Sequence, residues 1–179
     1  MKSIVAIVFV AFSAIVLKGQ HIDMTAPVYQ HAQKIVDNKI QPVSDDLTLS
    51  CLGNLLSNDK DTRAFYFKVY RTIAKKAKGQ LAEDITGYAN TYFELYPADA
   101  IDNFKKLDKE EQELFLDNIT FEFYASGDDY LADIDNYFNT IVNNCAACSI
   151  DNPTIVYIKK QMIGRAKEMT LEDQALISR

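Results

Sequence analysis

The chain has no tryptophan, and it has only two histidines and three cysteines among its 179 residues. So few histidines and cysteines leave little material for acid–base or metal chemistry near neutral pH. HExxH, P-loop, GxSxG and GxGxxG motifs are also absent, and these would indicate a zinc peptidase, a nucleotide site, an α/β-hydrolase or a dinucleotide fold. The absences favour a protein that is not an enzyme and that carries no cofactor. An enzyme with a dispersed site stays an alternative, because such a site has no motif.

Basic residues are in deficit: 19 lysines and arginines face 25 aspartates and glutamates, which gives a net charge of −6. A nucleic-acid binder needs a basic footprint to neutralise phosphates, so the charge argues against nucleic acid as a partner. The one basic run, Lys75, Lys76 and Lys78, lies where a predicted helix ends, and the helix dipole favours cations there. The length, with 48% hydrophobic and 25% charged residues, predicts one globular domain.

Long hydrophobic runs are missing except at the start. Ile4 to Leu17 is a run of fourteen residues without charge, preceded by Lys2 and followed by Lys18-Gly19-Gln20. This layout is typical of a secretory signal peptide, and the run is shorter than the ~20 residues that span a bilayer. We therefore predict that residues 1–19 are cleaved and that residues 20–179 form an exported domain, periplasmic or secreted, with no stable membrane anchor. Cleavage would take the net charge from −6 to −8. An uncleaved anchor is the alternative.

After residue 26, apolar residues recur with helical rather than alternating spacing. Capping and breaking residues divide the chain at Pro42, Asp45 (or its neighbours Ser44 and Asp46), Asn58–Asp59, Gly79, Pro97, Asp108 with Glu111, Ser126–Gly127, Asp128 or Asp129, and Asn152–Pro153. Gly79 is expected to end a helix, and Thr170 with Asp173 to restart a final turn. The pattern predicts an all-α fold of seven to nine helices without a substantial sheet. The predicted core comprises Leu52, Leu55, Phe65, Val69, Ile73, Ile85, Phe115, Ile119, Ile134, Phe138, Ile141 and Ile158.

An internal repeat is suggested by two segments that begin Leu81-Ala82 and Leu131-Ala132. With one residue skipped, seven of ten aligned pairs are identical, and the preceding helices align at an offset of fifty. Each unit would be a helical hairpin, over 59–96 and 109–145. Such hairpins form either a two-unit HEAT-like stack or an irregular helical bundle. Coincidence between amphipathic helices is the other explanation.

Cysteine placement leaves several pairings open. Cys145 and Cys148 form a CxxC, but they follow a predicted helix, whereas a thioredoxin-like pair opens one and gains a lowered thiol pKa there. A structural zinc site would need a fourth ligand, and the two histidines form no paired ligand spacing. We expect instead a structural disulfide between Cys51 and either Cys145 or Cys148, as suits an exported protein. A ring between Cys145 and Cys148 alone would favour a redox enzyme.

Ten tyrosines and ten phenylalanines make the chain rich in aromatic residues. Tyr88, Tyr92 and Tyr96 recur every four residues and fall on one stripe of one predicted helix, and Tyr66 and Tyr70 lie on the helix before it. A stripe of tyrosines forms either a groove that binds a partner or the edge of a core whose hydroxyls reach solvent. We take these five tyrosines as candidate binding residues.

The function that these patterns favour is an exported, non-enzymatic protein-interaction module. An immunity-type inhibitor of an exported toxin and a periplasmic adaptor are two members of that class, and an acidic chain would steer a basic partner. The alternatives are a helical carrier of a small apolar ligand and, on the strength of the CxxC, a redox enzyme. No residue pattern names the protein partner.

Overall fold

A computed structural model describes residues 22–125, 129–145, 148–149 and 152–177. These residues form eight helices and no strand, which confirms the all-α prediction. The helices are α1 Pro27–Val36, α2 Asp46–Asn54, α3 Lys60–Ala74, α4 Gln80–Leu95, α5 Pro97–Phe104, α6 Lys109–Ala125, α7 Tyr130–Asn144 and α8 Pro153–Ile177. The predicted signal peptide, 1–19, lies outside the described residues. Within them, no helix is both long and apolar enough to cross a membrane.

Helix starts follow the capping residues that the sequence indicates. The Asp45 carboxylate accepts a hydrogen bond of 2.8 Å from the backbone N of Thr48, and Asp59 accepts one of 2.7 Å from the backbone N of Thr62. Each bond satisfies a first-turn N–H that has no partner within the helix. The predicted break at 126–128 lies outside the described residues.

Asp108 and Glu111 form the predicted capping box at the start of α6. The backbone N of Glu111 donates to Asp108 Oδ1 at 2.9 Å, and the backbone N of Asp108 donates to Glu111 Oε2 at 3.3 Å. The reciprocal pair places the Glu111 side chain at the junction of α3 and α6, where it also meets two cations.

Two predicted boundaries are wrong. Gly79 does not end α3, which stops at Ala74; it directly precedes α4 with φ at +54°, a conformation that glycine adopts without a side-chain clash. Helix α8 does not restart near Thr170 but runs on to Ile177. The Thr170 hydroxyl donates to the backbone O of Ala166 at 2.8 Å, within the continuing helix, instead of capping a new one.

Helix α6 lies at the centre of the bundle and packs against α3, α4, α7 and α8. Helices α1, α2 and α3 pack on one another at one side, and α4 joins them to α5 and α7. Of the twelve predicted core residues, eleven are buried and Phe65 is partly buried, where its ring stacks on Tyr29 at 4.9 Å between centroids. The arrangement is an irregular helical bundle.

The two segments of the predicted repeat each contain two helices, α3 with α4 and α6 with α7. Aromatic rings join each pair: Phe67 meets Tyr92 at 5.6 Å, and Phe123 meets Tyr137 at 5.0 Å between ring centroids. The equivalence of the two pairs stays a prediction, to be tested by superposing them.

Candidate functional site

Three of the five candidate tyrosines lie inside the bundle. Tyr66, Tyr70 and Tyr92 are buried, and burial raises the pKa of Tyr66 and of Tyr92 to about 12. The hydroxyl of Tyr70 accepts a hydrogen bond from Asn118 Nδ2 at 2.9 Å, and that of Tyr92 accepts one from Asn103 Nδ2 at 2.8 Å. These bonds satisfy polar tips that would otherwise be costly to bury. The three rings therefore act as packing residues in this structure.

The other two candidates, Tyr88 and Tyr96, are partly buried. The Tyr96 hydroxyl donates to the backbone O of Leu56 at 3.1 Å, and its ring lies 3.9 Å below the guanidinium carbon of Arg63. This contact joins α4 to α3 and to the turn after α2. The binding role assigned to the five tyrosines from the sequence stays a prediction.

The prediction that Cys51 bridges to Cys145 or Cys148 is wrong for this structure. The sulfurs of Cys145 and Cys148 lie at disulfide distance from each other, with their Cα atoms 5.1 Å apart. A turn after α7, in which the backbone N of Cys148 donates to the backbone O of Cys145 at 2.8 Å, brings the two together. Cys51 instead faces α1, where its thiol lies 3.5 Å from the backbone O of Val28.

None of the three cysteines presents an open, reactive thiol. Cys145 and Cys148 are both buried, so the pair does not lie exposed in a cleft as a redox site requires. Burial raises the pKa of the Cys51 thiol to about 12, and the charge of Asp45 adds to the effect. At neutral pH that thiol is protonated and is a poor nucleophile.

An apolar groove lies between α7 and α8. We call it the α7–α8 groove; its lining residues are Phe138, Ile155, Val156, Lys159, Lys160 and Ile163. Its volume is about 290 Å³, and it opens to solvent. Phe138 and Ile155 form a buried floor, whereas the Val156 side chain is 50% exposed. Val156 therefore extends the apolar lining of the groove to the protein surface.

Two lysines give the groove a cationic rim. Lys159 Nζ pairs with Asp135 Oδ1 at 2.7 Å and lies 5.9 Å from the centre of the Phe138 ring. Lys160 is exposed and forms no ion pair with any described residue. The groove therefore combines an apolar floor with positive charge, on a chain whose net charge is negative.

Sequence reasoning missed this groove, although a signal for it exists. Ile155, Ile158 and Met162 follow the helical spacing of the core, and all three are buried. Val156 and Ile163, seven residues apart, form a second apolar row beside that stripe. A second row on one helix indicates an apolar face wider than the core covers; Ile163 packs at the edge of the core, and Val156 is left exposed.

Within the described part of the chain, no group of three or more histidines, cysteines, aspartates or glutamates is placed to hold a metal ion. No known protein family, curated protein or solved structure matches this chain.

Proposed function

We propose that this protein is an exported, non-enzymatic interaction module that binds an amphipathic segment of a partner protein in the α7–α8 groove. The observation that carries the proposal is the open apolar groove beside the half-exposed Val156, with two lysines at its rim. An amphipathic helix that lays its apolar face into such a groove is a recurring mode of peptide recognition.

The shape of the groove favours a polypeptide segment over an enclosed small molecule. Pockets for small ligands commonly measure roughly 300–1,000 Å³ and bury about 70–90% of the ligand surface. The α7–α8 groove, at about 290 Å³, lies just below that range and opens to solvent. A partner helix can extend past the groove and bury further area on either side of it.

The charge of the rim indicates which segment fits. Lys159 and Lys160 favour a segment whose apolar anchors are flanked by aspartate or glutamate, because opposite charges across an interface steer association and fix orientation. Lys160 is the freer of the two, since Lys159 is already paired with Asp135. We expect Lys160 to contribute more to the rate of association.

Export forms part of the proposal through the predicted signal peptide over residues 1–19. An immunity-type inhibitor and a periplasmic adaptor are both proteins of this kind. The acidic chain as a whole favours a basic partner surface, whereas the groove itself favours an acidic segment. A partner protein with a basic surface and an acidic segment would match both charges.

A small apolar ligand with a carboxylate is the second candidate, because its tail suits Phe138 and Ile155 and its head suits Lys160. The redox alternative finds less support, because both cysteines of the CxxC are buried.

The proposal is tested by affinity capture from the extracellular and envelope fractions of cells that express the protein, with Val156→Glu and Val43→Glu compared in parallel. Val43 is 54% exposed and lies outside the groove, so it is a matched control for Val156. We expect the wild type and Val43→Glu to retain one partner protein that Val156→Glu loses. Lys160→Glu should weaken capture, and Lys106→Glu, at an exposed turn lysine outside the groove, should not.

An identical set of captured proteins for all variants would contradict a role for the groove. Recovery of a fatty acid or another small apolar molecule, present with the wild type and lost with Val156→Glu, would replace the interaction module by the carrier.

A further inference from the structure

A second concave surface lies beside α3, far along the chain from the α7–α8 groove. We call it the α3 basic pocket; its volume is about 260 Å³, and Lys68, Arg71, Lys75 and Lys76 line it together with Asn38, Thr72 and Glu111. Four cationic residues against one carboxylate is an unusual lining for a chain with a net charge of −6. Lys68, Arg71 and Lys75 recur at helical spacing and so lie on one face of α3 and its C-terminal turn.

Glu111 holds two of the four cations in place. It is 6% exposed, and its carboxylate accepts hydrogen bonds from Arg71 Nη2 at 2.6 Å and pairs with Lys75 Nζ at 2.9 Å. Arg71 uses Nε and Nη2 for this purpose, which leaves Nη1 without a partner among the described residues. The carboxylate therefore fixes the guanidinium and neutralises only part of the positive charge.

The other two cations are less compensated. Lys76 Nζ donates to the neutral side-chain oxygen of Asn38 at 2.5 Å. Lys68 forms no direct ion pair within the described part of the chain, although its charge is among the smaller influences that lower the pKa of Asp37. The negative end of the α3 dipole accounts for cations in its last turn, but Lys68 lies outside that turn.

We propose that the α3 basic pocket binds a phosphate-type oxyanion, either free or carried on a small organic molecule. Lys68, Lys76 and Arg71 Nη1 supply the donors, and Glu111 preorganises Arg71 for the task. A tetrahedral anion offers several oxygens, so donors from three side chains engage it at once, and charge-assisted hydrogen bonds of this kind are the strong ones. Asp108 lies 3.9 Å from Lys75 and is exposed, so the anion is expected on the Lys68 and Lys76 side.

The test is a titration of the purified mature protein with inorganic phosphate and, separately, with glucose 6-phosphate, followed by NMR amide shifts at constant ionic strength. We expect saturable shifts confined to α3, the turn after it and Asn38. In the variant with both Lys68→Gln and Lys76→Gln, affinity should fall by about tenfold for each charge-assisted bond removed. A variant with both Lys105→Gln and Lys106→Gln, at exposed lysines of another turn, removes the same charge and should bind as the wild type does.

Tighter binding of glucose 6-phosphate would assign the site to a phosphate carried on an organic molecule, and tighter binding of inorganic phosphate to the free anion. Equal affinity in the two double variants, or shifts spread evenly over all lysines, would overturn the proposal. Circular dichroism and thermal unfolding of each variant establish that it is folded. The function proposed for the α7–α8 groove does not depend on either outcome, because none of the groove's lining residues is changed.

Discussion

Replacing Glu111 by glutamine tests how the central helix α6 is attached to α3. The Glu111 carboxylate is 6% exposed, receives Arg71 and Lys75, and closes the capping box with Asp108. Glutamine keeps the shape but removes the charge, so two charge-assisted contacts weaken at once.

The magnitude follows from the exposure of the three partners. Removing one member of a fully buried ion pair costs about 3–5 kcal/mol, because the other charge is left unpaired. Here the Arg71 and Lys75 side chains are 37% and 39% exposed, so water recovers part of the loss. We therefore expect Glu111→Gln to lower the free energy of unfolding by about 2–3 kcal/mol, or Tm by about 4–12 °C for a domain of this size.

The stability difference between the wild type and Glu111→Gln should decrease as the pH falls. Burial alone would raise the pKa of Glu111, but hydrogen bonds from Arg71 and Lys75 outweigh it and hold the pKa below its ordinary value of 4.5. A carboxyl whose pKa is lower in the folded state stabilises the protein above its unfolded pKa and loses that contribution as pH falls through the folded value. The difference between wild type and Glu111→Gln should therefore be full at pH 7 and shrink below about pH 4.5.

Urea unfolding, followed by circular dichroism at several pH values, measures this difference. Glu110→Gln is the matched control, because Glu110 is exposed in the same helical turn and should change stability by less than about 0.5 kcal/mol. Equal losses for the two variants at pH 7, or a Glu111→Gln deficit that persists at low pH, would refute the reasoning.

Three further predictions concern the core, the cysteines and the N-terminus. Phe93→Ala should lower the free energy of unfolding in urea by about 3–5 kcal/mol, because the Phe93 ring is fully buried and contacts the rings of Phe115 and Phe138. A change near zero would contradict the core described above. Non-reducing peptide mapping should find Cys145 linked to Cys148, and a peptide in which Cys51 is linked would contradict the structure. The Cys51 thiol should resist alkylation until the protein unfolds. Intact mass of the exported protein should match a chain that begins at Gln20, and retention of residues 1–19 would contradict the signal-peptide prediction.

Helix starts and core positions were accessible from the sequence because they depend on local chemistry. Asp45, Asp59 and Asp108 cap helices through bonds that span three residues, and such short-range bonds leave a recognisable pattern. Helical spacing likewise identified the buried face of α3 at Val69 and Ile73. Phe65 on the same helix is only partly covered, because it lies at the edge of α3 beside Tyr29.

Features that depend on how distant helices pack were not accessible in the same way. The disulfide prediction for Cys51 assumed that α2 and the end of α7 meet, but Cys51 faces α1. The stripe that contains Tyr92 and Tyr96 has the same spacing whether it faces a partner or the core, and only the positions of Asn103 and Arg63 show what covers it here.

The α7–α8 groove depends on packing in the same sense. The second apolar row on α8, Val156 and Ile163, is visible in the sequence, but the spacing along α8 does not show that α7 borders this row and leaves Val156 exposed.

Binding of a partner segment in the α7–α8 groove requires that the captured partner distinguish variants inside the groove from variants outside it. Isothermal titration of that partner into wild type, Val156→Glu and Val43→Glu compares the same substitution inside and outside the groove. We expect Val156→Glu to weaken binding by at least about tenfold, because a charge enters an apolar interface, and Val43→Glu to bind as the wild type does. Equal affinities for Val156→Glu and the wild type would contradict binding in the groove.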